Sequence, residues 1–126
     1  MPARGRTTTA WRWTLGVAVV VQLVVLYAPS APSPPIDLPV DKVVHFVIFG
    51  AVAFSGIRAG VRPGWLVAAL LTNAVASELI QYAVLPHRSG DWRDALADAV
   101  GILVGTALAL RRPRGADRGE RARMGA

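Results

Sequence analysis

The stretch from Trp65 to Leu85, WLVAALLTNAVASELIQYAVL, decides the fold class. It is long enough to cross a hydrocarbon core as one helix, which takes about 20 residues. No charge appears in it before Glu78. A helix on the surface of a soluble bundle needs a charged or polar face recurring every 3.6 residues, and this stretch has none over its first three turns. Working outward, three more apolar blocks appear. One runs from about 13 to 28 with Gln22 as its single amide. One runs from about 43 to 59, with His45 near its start and Arg58 near its end. One runs from about 95 to 110 and carries Asp98. Trp11, Trp13, Trp65 and Trp92 lie at block ends, where amphipathic rings favour the headgroup region. The expected fold is all-α: an integral membrane protein built as a four-transmembrane-helix bundle over 13–110. A cytoplasmic segment, 1–12, precedes it and an arginine-rich tail, 111–126, follows.

Composition agrees. Of 126 residues, 53% are hydrophobic and 17% charged, against about 25% charged in soluble proteins. Mean hydropathy is +0.42. This excludes a disordered chain, which needs low hydrophobicity and high charge. There is no cysteine, which excludes disulfide scaffolds, thiolate zinc sites and cysteine nucleophiles. A pI of about 11.3 and a net charge of +6 would by themselves suggest nucleic acid, but the arginines are distributed otherwise. Arg4, Arg6 and Arg12 precede the first block. Arg58 and Arg62 fall between the second and third, and Arg111 to Arg123 follow the fourth. The remaining connections hold only Lys42, Arg88 and Arg93 beside Asp37, Asp41, Asp91 and Asp94. Basic residues stay on the cytoplasmic side. Both termini are therefore expected in the cytoplasm of a bacterial cell, with the first and third connections outside the plasma membrane. No nucleic-acid partner is expected, and the tail reads as a disordered stop-transfer anchor at anionic headgroups.

A cleaved signal peptide is the rival reading of the start. The first apolar block is long for a signal h-region, and Ala28-Pro29-Ser30 is a poor cleavage site. The proline run from Pro29 to Pro35 reads as a stiff extended strap. Gly60, Pro63 and Gly64 mark a tight turn between the second and third helices.

With this topology, the charged residues within or bordering the last three helices on the outer side gather in one layer. Asp41, Lys42 and His45 share a face at the start of the second helix. Glu78 and Gln81 lie near the outer end of the third. Arg88, Asp91 and Asp94 lie in the last connection and the start of the fourth, where Asp94, Asp98, Gly101 and Gly105 form one stripe. Simpler roles exist for several of them. Asp41 and Asp94 are plausible N-caps, Lys42 a snorkelling anchor, and His45 an interhelical hydrogen-bond partner. Gly101 and Gly105 read as a helix-packing surface, and a homo-oligomer through them stays open. Glu78 and Asp98 resist such readings. A charge inside a membrane segment costs about 2.5–3.5 kcal/mol and must face protein or water with a partner. With one nearby histidine and no ligand-spacing motif, no metal site and no cofactor are expected.

These residues resemble the VanZ-like family of small bacterial integral membrane proteins. The resemblance is carried by Asp41-Lys42-Val43-Val44-His45-Phe46, by Glu78-Leu79-Ile80-Gln81, and by Arg88-Ser89-Gly90-Asp91-Trp92-Arg93-Asp94 leading to Gly101. It covers roughly positions 38–110. The family pattern usually has Asn where this chain has Asp98, and an acid replaces the amide's donor unless it is protonated. The resemblance implies a link to glycopeptide antibiotics, since the founding member is associated with teicoplanin resistance. The layer formed by Asp41, Lys42, His45, Glu78, Gln81, Arg88, Asp91 and Asp94 is then expected to bind an anionic ligand. Membrane lipids, a lipid-linked cell-wall precursor or a glycopeptide antibiotic are the expected partners, with Lys42 and Arg88 meeting phosphate. One alternative is an intramembrane enzyme acting on a lipid headgroup, with His45 or Glu78 as general base. The other is a small carrier or partner subunit.

Overall fold

The computed structural model describes residues 3–29, 40–85, 91–111 and 125. The described residues form four α-helices and no strand. They are α1 (Ala3–Tyr27), α2 (Val40–Arg58), α3 (Pro63–Val84) and α4 (Trp92–Leu110). Every helix begins earlier than its apolar block, and α1 begins near residue 3 rather than 13. Apolarity marks where contact with hydrocarbon begins, whereas backbone propensity and capping mark where a helix begins. No proline interrupts Ala3 to Ala28, so α1 extends through its polar first turns. The proline run beyond Pro29, most of the third connection and nearly all of the tail beyond Arg111 lie outside the described residues.

α1, α2 and α3 are long and apolar enough to cross a membrane, over Thr7–Tyr27, Val40–Arg58 and Pro63–Val84. α4 matches α2 at 19 residues but carries Arg93, Asp94 and Asp98.

The distribution of side chains is the reverse of a soluble bundle. Trp13, Trp65, Leu79, Tyr82, Trp92 and Leu103 are exposed, while Gln22, His45, Glu78, Gln81, Asp94 and Asp98 are buried. Water rejects that arrangement and lipid favours it. Several hydroxyls on the helices bond back to their own backbones: Thr14 to Ala10, Ser55 to Ala51 and Thr72 to Ala68. This satisfies them without water.

α2 is the central helix. It packs along α4 most extensively, α1 lies on α2, and α3 rests mainly on α4. A small apolar core of Leu26, Phe49, Val52, Ala53 and Ile102 fills the interior. Hydrocarbon is as apolar as leucine, so such a core does not drive helix association here, and close backbone approach matters more. α2 and α4 run parallel and meet through glycine. A Cβ on Gly101 would collide with the Phe46 carbonyl, and one on Gly105 with the carbonyl of Gly50. Gly101 and Gly105 therefore face α2 of the same chain. At the other end of α2, Gly60 adopts φ 95°. The Gly60 N–H donates to Ile57 and the Val61 N–H to Gly56. This glycine-closed cap turns the chain into α3, which starts with Pro63 in its first turn. There Trp11 packs edge-on against Phe54 at 5.4 Å, and the Arg58 guanidinium lies 5.6 Å from the Trp11 ring centre.

Candidate functional site

The end of α1, the start of α2, the end of α3 and the start of α4 meet at one end of the bundle, and the polar layer forms there. Its register follows the parallel α2–α4 seam. Lys42 faces Asp94 and His45 faces Asp98, and the glycine contacts continue the seam below.

Lys42 is the uppermost member. Its ammonium donates to Asp94 Oδ1 at 3.0 Å and to Asp91 Oδ2 at 3.3 Å. The Lys42 side chain stays 35% exposed, whereas that of Asp94 is 6% exposed. Asp91 does several jobs at once. It is the N-cap of α4, with its side chain accepting the Arg93 N–H. Its own N–H donates to Glu78 Oε2 at 2.8 Å. The Arg93 N–H, and after it Lys42, hold the Asp91 carboxyl below the usual carboxylate range. The cap of α4 is thus Asp91 and not Asp94, which sits in the first turn. Asp41 likewise lies inside the first turn of α2, where it meets the positive end of the helix dipole.

One turn deeper, His45 Nδ1 lies 2.9 Å from Asp98 Oδ1, with both side chains buried. His45 Nε2 lies 3.9 Å from Asp41 Oδ1, whose side chain is 70% exposed. Glu78 is buried beside them. Its Oε2 accepts from the Asp91 N–H, while among the described residues Glu78 Oε1 and Asp98 Oδ2 have no hydrogen-bond partner. Two trios bring one potential ligand atom from each member within 4.8 Å of the others: Asp41, His45 and Asp94, and His45, Glu78 and Asp98.

Gln81 does something different from the rest. Its Nε2 donates to the Leu26 carbonyl at 3.0 Å. That carbonyl belongs to the last turn of α1, where helix carbonyls lack intrahelical donors. Gln81 therefore ties α1 to α3. Arg88 lies outside the described residues.

Asp98 is the residue that sequence reasoning left out of the site. Its place on the stripe with Asp94 was visible, but its pairing with His45 follows from the α2–α4 register, which no local pattern encodes. Gln22 on α1, also buried, was read only as an amide within an apolar block. Chemically, the arrangement offers an oriented ammonium at the rim and, beneath it, an imidazole flanked by two carboxylates.

Comparison with protein families gives one finding: the VanZ-LLP1 model, described as VanZ/LLP1, matches residues 5–112. No curated protein and no solved structure matches the chain.

Proposed function

The chain belongs to the VanZ/LLP1 family, and from that premise we infer that its polar layer faces outward from the bacterial plasma membrane. There it binds the charged headgroup of an anionic envelope lipid, or a lipid-bearing glycopeptide antibiotic of the teicoplanin type. In this reading all four helices span the bilayer and both termini are cytoplasmic. The arginines around α1, in the α2–α3 turn and after α4 support that orientation. The fourth span is supported by burial. Asp94 and Asp98 turn inward, while Leu96, Val100, Leu103 and Leu108 face out, so α4 presents hydrocarbon to lipid despite its charges.

The observation that carries the reading is the state of Lys42. An ammonium has three donors. Asp91 and Asp94 take two and fix its direction, and among the described residues the third has no acceptor at this partly exposed rim. A phosphate or carboxylate oxygen arriving from outside meets a cation that is already oriented, so little is lost in ordering it.

The test compares teicoplanin susceptibility in a sensitive bacterium carrying empty vector, wild type or Lys42→Met, at matched membrane levels. Wild type should raise the inhibitory concentration and Lys42→Met should not. Identical susceptibility in all three strains excludes the antibiotic reading. Retention of anionic phospholipid by the purified protein, diminished in Lys42→Met, then decides the lipid reading.

A second reading has one observation in its favour. A histidine oriented by a buried carboxylate, beside a glutamate, is a general-base arrangement. Turnover of an envelope lipid by purified protein, abolished in His45→Gln, would replace binding by catalysis.

A further inference from the structure

Beneath Lys42, and among the described residues, the layer holds more carboxyls than cations. Among the described residues it contains the carboxyls of Asp41, Glu78, Asp91, Asp94 and Asp98. Lys42 answers two of them, Asp91 and Asp94, and Asp41 is exposed. That leaves Glu78, 9% exposed, and Asp98, 0% exposed, with His45 Nδ1 2.9 Å from Asp98. Each of these two buried carboxylates has one oxygen with no hydrogen-bond partner among the described residues, Glu78 Oε1 and Asp98 Oδ2. Orphaned carboxylate oxygens in a low-dielectric interior are expensive, and natural structures keep them where a cation or ordered partner meets them.

We propose that His45, Glu78 and Asp98 form a binding site for one divalent transition-metal cation of the zinc or manganese class. Geometry permits it. One ligand atom from each residue lies within 4.8 Å of the other two, and ligands about 2.0–2.2 Å from a shared tetrahedral ion lie about 3.3–3.6 Å from one another, so closure requires side-chain movement on the order of an ångström. Charge favours it as well. Two carboxylates and a neutral imidazole around a dication sum to zero, which a membrane interior accepts far better than two bare acids. The ligand types set the class. Imidazole with carboxylates suits zinc, manganese or iron, whereas calcium takes six to eight oxygens. The surroundings resemble an outer shell that orients ligands, with the Asp91 N–H holding Glu78 Oε2. Loading the ion replaces the proton between His45 and Asp98, which leaves to solvent.

The second trio, Asp41, His45 and Asp94, is the weaker holder. Asp94 already accepts from the Lys42 ammonium at 3.0 Å, and that charge repels a cation.

The experiment uses the full chain in detergent micelles, purified through a tag without histidines and stripped with a chelator. Zinc is titrated by calorimetry and manganese by electron paramagnetic resonance, with calcium as comparison. Wild type should take up one zinc or manganese ion per chain and show no comparable calcium uptake. Glu78→Gln and Asp98→Asn, which preserve shape, should each weaken uptake at least about tenfold. His87→Ala, at the other histidine of the chain, should bind as wild type does. The proposal fails if wild type shows no saturable zinc or manganese uptake, a result that needs no variant to fold. It fails equally if uptake survives in both Glu78→Gln and Asp98→Asn, or is lost in His87→Ala. None of these titrations involves lipid or antibiotic, so their outcome is separate from that of the Lys42 test.

Discussion

Asp91 shows how one side chain can serve a helix, an ion pair and a site together. Its carboxyl caps α4 and accepts from Lys42, while its backbone N–H holds Glu78. Because its folded pKa lies below the ordinary value, the sign of its pH effect follows. The contribution is fully present above the unfolded pKa of about 3.9 and is lost as pH falls toward the lower folded value. Thermal unfolding of the purified protein between pH 5 and pH 3 should therefore show a steeper acid loss in wild type than in Asp91→Asn. Equal slopes would mean that the cap and the Lys42 contact contribute nothing through charge. At this scale the sequence was informative about residue type. Aspartate at the start of a helix reads as a cap, but whether Asp91 or Asp94 takes that role depends on where the chain enters α4. Asp98 was legible as a buried charge on a stripe, and its partner was not.

The seam between α2 and α4 is the element on which the site depends. Lys42 with Asp94 and His45 with Asp98 line up only because Gly101 approaches Phe46 and Gly105 approaches Gly50 below them. Gly101→Leu should push the helices apart and lower stability by about 1–3 kcal/mol, as overpacking a tight contact does. Gly16 on α1 provides the control, since a Cβ there meets nothing within 4 Å. Gly16→Leu should leave the thermal midpoint within experimental scatter, measured in the same detergent. If the two variants behave alike, the close approach has no energetic weight. The glycines were visible in the sequence as a packing stripe, and an interface between copies was an open reading of them. Gly50 went unnoticed, because a lone glycine in an apolar block has no signature until its neighbour across the seam is known.

Among the described residues the bundle collects its carboxylates at one end and leaves apolar side chains around its circumference. That end is outward in the proposed orientation. Because the chain has no cysteine, single cysteines at Ser33, Ser89 and Ala116 report topology without background. An impermeant thiol reagent added to intact cells should label Ser33→Cys and Ser89→Cys and spare Ala116→Cys. Labelling at position 116 without labelling at 89 would invert the molecule, and the outward-facing site with it.

Helix number, helix order and the membrane setting were determined by sequence alone, because they depend on local quantities: the length of an apolar run, the absence of a polar face and the position of prolines and arginines. The clustering of Asp41, Lys42, His45, Glu78, Asp91 and Asp94 at one end also followed from local reasoning, since alternating helix direction puts alternate helix ends together. Only the tertiary structure decided that α2 pairs in parallel with α4, that Gln81 secures α1, and that Asp98 lies against His45. Those outcomes depend on rotation and register between helices far apart in the chain. Several registers satisfy the same apolar pattern, and the choice among them is made by how closely glycine backbones can approach and which buried charges then find partners.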